Sequence, residues 1–68
     1  MKRQLELKAE LARRGMRYRD LARALRGHGL EAEEGDILAV INGKRCVDDT
    51  FRRHVAEILG RPSFELFA

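Results

Sequence analysis

Sixty-eight residues suffice for one domain with one modest core and exclude a second domain. A lone cysteine, Cys46, rules out an internal disulfide, and His28 and His54 are too few to form a convincing zinc site with it, so the chain depends on apolar packing. The net charge of +3 permits a polyanionic partner, and its distribution is uneven: nine Lys or Arg against three acids in residues 1–30, two against six in 31–50, three against two in 51–68.

No apolar run approaches the roughly 20 residues that cross a bilayer, and Met1-Lys2-Arg3-Gln4-Leu5-Glu6 turns charged too soon for a signal peptide. The expectation is a soluble, unprocessed, cytoplasmic protein with no membrane association.

In chain order, residues 4–14 read as a first helix with Leu7 and Leu11 four apart, flanked by Leu5 and Ala12. Gly15 is placed to end it, Arg13 and Arg14 sit in its last turn, and Met16 is expected to tuck back onto the core. A second helix begins near Arg17 or Tyr18 without a standard N-cap, Asp20 compensating in its first turn. Leu21, Ala22 and Leu25 form its apolar face, while Arg19, Arg23 and Arg26 fall within about 60° of one another on the opposite side.

Gly27 to Gly35 reads as a nine-residue connection with three glycines, pinned by Leu30 and carrying Glu31, Glu33 and Glu34. The third helix is expected to start between Glu34 and Asp36, because an earlier start would place acids on the buried face. Ile37, Val40 and Ile41 are its core positions, and Asn42-Gly43 ends it in a left-handed turn followed by Lys44 and Arg45. After Cys46, expected as a small half-buried residue, Asp48, Asp49 or Thr50 caps a fourth helix with Phe51, Val55, Ile58 and Leu59 inward and Gly60 at its end. Pro62 opens a last turn in which Phe64 and Phe67 are expected to face inward. No segment alternates with period two, so the fold class is all-α, a single unit over 1–68 of four to five helices.

Two short helices followed by a basic turn form a helix-turn-helix candidate. On Leu7-Lys8-Ala9-Glu10-Leu11-Ala12-Arg13-Arg14-Gly15-Met16, Asp20-Leu21-Ala22-Arg23-Ala24-Leu25, the group Ile37, Val40, Ile41, Asn42, Gly43 and Lys44, and Phe51–Gly60 with Phe64–Phe67, the sequence resembles the lambda repressor/Cro-like (Xre-like) helix-turn-helix family. The resemblance spans nearly the whole chain, with a turn between helices 2 and 3 about five residues longer than that family's pattern. It implies a lambda-repressor-like DNA-binding domain with Tyr18 and Arg19 at one phosphate, Lys44 and Arg45 at another, and Asp36, Ala39 and Asn42 towards the bases.

The bare sequence also allows other roles. Arg19, Arg23 and Arg26 form either a phosphate-contacting stripe or a solvated face, Tyr18 either hydrogen-bonds a phosphate or covers the helix end, Lys44 and Arg45 are either phosphate ligands or favourable helix-end charges, and Asn42 is either a base reader or a cap. No triad, carboxylate pair or phosphate loop is present, so neither enzymatic activity nor a cofactor is expected. The first functional expectation is a small DNA-binding transcriptional regulator of bacterial or phage type, its partner double-stranded DNA, with a homodimer through Phe64, Leu66 and Phe67 as the route to half-site recognition. The second is a helix-turn-helix fold that docks a protein partner through the acidic loop at Glu31, Glu33 and Glu34.

Overall fold

Apolar residues at helical spacing and a glycine or proline at each boundary divide the chain into five helices. In the computed structural model, which describes residues 2–67, these are α1 (Leu5–Arg13), α2 (Tyr18–Gly27), α3 (Glu34–Ile41), α4 (Asp49–Leu59) and the single turn α5 (Ser63–Leu66). Among the described residues there is no strand, so the expected all-α class holds. No helix is long and apolar enough to cross a membrane.

All five helices feed one core. Leu7 and Leu11 of α1, Leu21, Ala22 and Leu25 of α2, Ile37 and Ile41 of α3, Val55 and Leu59 of α4 and Leu66 of α5 are buried together, with Met16, Tyr18, Leu30, Phe51, Ile58 and Phe67 packed round them. α3 lies against α2 and α1, and α5 closes over α1 and α4.

The starts of α2, α3 and α4 are capped by carboxylates rather than hydroxyls. The Asp20 carboxylate accepts the Arg17 backbone N–H at 2.9 Å, Asp36 accepts that of Glu33 at 2.9 Å, and Asp48 accepts that of Phe51 at 2.8 Å. The first two are the N3 half of a capping box, which explains how α2 and α3 begin without Ser, Thr, Asp or Asn at the N-cap. Helix ends use left-handed glycines. At Gly43 (φ +74°) the chain turns so that the Gly43 N–H reaches Val40 O and the Lys44 N–H reaches Ala39 O at 2.8 Å, satisfying carbonyls that α3 leaves open.

Several expectations require correction. The connection between α2 and α3 is residues 28–33, shorter than the nine expected, because Gly27 completes α2 and Gly35 lies inside the first turn of α3. Leu30 does pack on the core as expected, joined by the buried Ala32. Leu5 and Ala12 do not flank the α1 stripe; both are exposed, and Glu10 takes a buried position instead. Phe64 points outward at 75% exposure, while Leu66 fills the hole between α1 and α4, since one helical turn offers room for a single inward side chain there. Leu66 is therefore in the core and absent from any dimer surface. Phe67 is half-buried, edge-to-face with Phe51 at 6.1 Å. Cys46 is exposed rather than half-buried.

Glu10 is the charged group closest to the core, and it is matched. Its carboxylate accepts from Arg13 at 2.8 Å, Arg14 at 2.6 Å and Arg61 at 2.6 Å. Arg61 also reaches Glu6 at 2.9 Å and Glu65 at 3.0 Å, and Arg14 donates to the Leu59 carbonyl. This cluster ties α1 to the end of α4 and to α5. The guanidiniums of Arg13, Arg14 and Arg61 hold the Glu10 carboxyl at about 2, well below its ordinary value, and those of Arg61 and Arg13 lower Glu6.

Candidate nucleic-acid interface

The candidate surface lies on the outward faces of α2 and α3. Burying Leu21, Ala22 and Leu25 turns Arg19, Arg23 and Arg26 to solvent, and the extended backbone at Arg17 (φ −84°, ψ 161°) leaves its side chain exposed at the positive end of the α2 dipole. Arg17, Arg19 and Arg23 have no hydrogen-bond or ion-pair partner for their guanidiniums among the described residues. Arg26 is different: it donates to the Ala32 carbonyl at 2.6 Å and lies 3.5 Å from Glu33. It braces the α2–α3 connection from outside, so the stripe of three arginines separates into two unengaged cations and a strut.

The same division runs through the residues at and after α3. Asp36 caps its own helix with one carboxylate oxygen and pairs with Arg45 through the other. Both were expected at DNA, Asp36 at the bases and Arg45 at a phosphate. Their mutual pairing instead links the first turn of α3 to the turn that follows it. Lys44 is exposed and has no ion-pair partner among the described residues. Ala39 is half-buried, and Asn42 is exposed at the C-cap position of α3, immediately before the left-handed Gly43. Tyr18 is half-buried and packs on the core.

Two residues on α3 escaped sequence reasoning. Leu38 is 45% exposed, and Gly35, in the first turn, has no atom near enough to meet an added Cβ. Gly35, Leu38 and Asn42 stand at i, i+3 and i+7 and so share one outward face. Leu38 could have been found by noticing that Ile37, Val40 and Ile41 already complete the buried stripe. Arg17 is invisible to helical periodicity, because it lies just before the first residue of α2.

Acids lie beside this surface without covering it. An open depression of about 690 Å³ runs between the α2–α3 connection and Arg45, and Arg26, Glu31, Glu33, Asp36 and Arg45 line it with both signs of charge. A phosphate would meet carboxylates there, whereas the one acid within the Arg17–Arg23 stretch, Asp20, is engaged as a cap.

A family model described as Domain of unknown function (DUF6471) matches residues 2–45, which takes in α1, α2, α3 and the basic turn. No curated protein and no solved structure matches the chain.

Proposed function

We propose that this chain, which belongs to the DUF6471 family, is a double-stranded-DNA-binding module that serves a transcriptional regulator. Arg17, Arg19, Arg23 and Lys44 supply backbone affinity, and α3 approaches the major groove with Gly35, Leu38, Ala39 and Asn42. The observation that carries this reading is the run of unengaged cations along α2 and after α3: the ion pairs engage Arg13, Arg14, Arg26, Arg45, Arg52 and Arg61, while Arg17, Arg19, Arg23 and Lys44, like the more scattered Lys2, Arg3, Lys8 and Arg53, have no ion-pair partner among the described residues. The lambda repressor/Cro-like resemblance supports it independently, because that family grips phosphates at the start of its second helix and after its third. Leu38 suits apolar contact with a thymine methyl, and Asn42 suits an adenine edge. Gly35 leaves room for a sugar-phosphate chain to approach the α3 backbone closely.

The test is fluorescence anisotropy with random-sequence duplex DNA at two salt concentrations. About four phosphate contacts predict affinity falling on the order of 100-fold between 50 and 200 mM salt. Arg19→Ala/Arg23→Ala should lower both the affinity and the slope by about two contacts, with Arg26→Ala as the control that loosens a loop without removing a phosphate ligand. Absence of binding at 50 mM would overturn the reading.

A protein-docking role for the acidic loop is favoured by one observation, that Glu31 and Glu34 are exposed and have no ion-pair partner among the described residues. Glu31→Gln/Glu34→Gln separates the two roles. It strengthens DNA binding if these acids lie near phosphates and abolishes capture of a basic partner if they dock one.

A further inference from the structure

The chain has two histidines, twenty-six residues apart, and folding brings them together. The His28 ring at the C-terminal end of α2 and the His54 ring on α4 lie edge-to-face with centroids 5.8 Å apart. His54 Nδ1 is 2.7 Å from the Thr50 carbonyl oxygen. A carbonyl only accepts, so Nδ1 of the neutral ring carries the proton and Nε2 keeps its lone pair. This is the arrangement found behind metal-ligating histidines, where the second ring nitrogen donates to a carbonyl and fixes tautomer and orientation.

From this geometry we infer that His28 and His54 form a two-imidazole site for a divalent transition cation of the Ni²⁺, Cu²⁺ or Zn²⁺ class. With metal–nitrogen distances of about 2.0–2.1 Å, two rings on one tetrahedral ion have centroids roughly 5 Å apart, close to the 5.8 Å separation of His28 and His54. His28 occupies the C-cap of α2, where the helix dipole presents its negative end to a cation. Among the described residues no third histidine, cysteine or carboxylate joins the pair, so the remaining coordination positions are taken by water or by a ligand from outside the chain. An open site of this kind is distinct from a closed structural zinc site. Bound metal would clamp the end of α2 to α4.

The experiment is titration of the full chain with Ni²⁺ and with Zn²⁺, read by calorimetry and by imidazole ¹⁵N shifts, on the wild type and on His28→Gln, His54→Gln and Cys46→Ser. The expected result is one ion per chain, both imidazoles shifting together, and affinity at least about 10-fold weaker in either histidine variant because the second ligand no longer acts at high effective concentration. Cys46→Ser should bind as the wild type does. Circular dichroism at the titration temperature establishes that each variant is folded. Wild-type affinity retained in His28→Gln, a shift confined to one ring, or loss of binding in Cys46→Ser would each overturn the site.

Discussion

At Glu10 three guanidiniums converge on one carboxylate that is nearly withdrawn from solvent. Its folded value near 2 lies below the ordinary 4.5, so the interaction contributes fully above the ordinary value and is lost as pH falls through 4.5 towards 2. Glu6, lowered by the same arginines, adds to the trend in the same direction. The wild type should therefore lose melting temperature steeply between pH 5 and pH 2, and Glu10→Gln should flatten that profile while lowering stability at pH 7. A Glu10→Gln curve parallel to the wild type would remove the role assigned to this cluster. From sequence, Arg13 and Arg14 are legible only as charges at a helix end. Their convergence with Arg61 is not, because a contact across fifty-one residues leaves no trace in local spacing. The pairing of Arg45 with Asp36 was hidden for a related reason: it depends on where the chain goes after Gly43, and the helical pattern ends there.

At the scale of the element, helix positions and most of their buried faces could be read from apolar periodicity, since α1 to α4 each repeat it for at least two turns. α5 has one turn and offers no repeat, which is why Phe64 was expected where Leu66 sits. Leu66→Ala should cost about 2–5 kcal/mol, as for a fully buried leucine, and Phe64→Ala should stay within about 0.5 kcal/mol, both measurable by urea denaturation. The opposite ranking would reinstate Phe64 as the core residue. The glycine within α3 and the one just past its end make a paired prediction. Gly35 is helical with open space around it, so Gly35→Ala should stabilise the protein by about 0.5–1 kcal/mol. Gly43 holds φ +74°, so Gly43→Ala should destabilise it by about 1–2 kcal/mol. If α3 meets DNA as proposed, Gly35→Ala should also weaken that binding while raising the melting temperature. A gain in both would place Gly35 away from the contact.

Across the whole molecule, charge is unevenly committed. Acids and a subset of arginines hold α1, α4 and α5 together, while Arg17, Arg19 and Arg23 on α2, Lys44 after α3, and Lys2, Arg3, Lys8 and Arg53 elsewhere have no ion-pair partner among the described residues. The net +3 hides this division, because an ion pair and two distant charges count alike in a sum. The segment balance places nine of the cations in residues 1–30, yet it cannot tell that Arg13, Arg14 and Arg26 are committed to ion pairs there. The family match ends at Arg45, yet Val55, Leu59 and Leu66 lie beyond it in the shared core, so a fragment of residues 2–45 should give a circular dichroism spectrum with little helix.

The Arg61–Glu6 contact has a topological consequence. It joins positions fifty-five residues apart at 2.9 Å, and α1 packs on α5, so the first and last helices of the described residues lie side by side. Joining residue 67 to residue 2 through a short Gly/Ser linker and opening the chain between Arg45 and Cys46 should yield a circular permutant that keeps the fold. In that permutant the end-to-end contact becomes a local one, formed across a linker of a few residues instead of most of the chain.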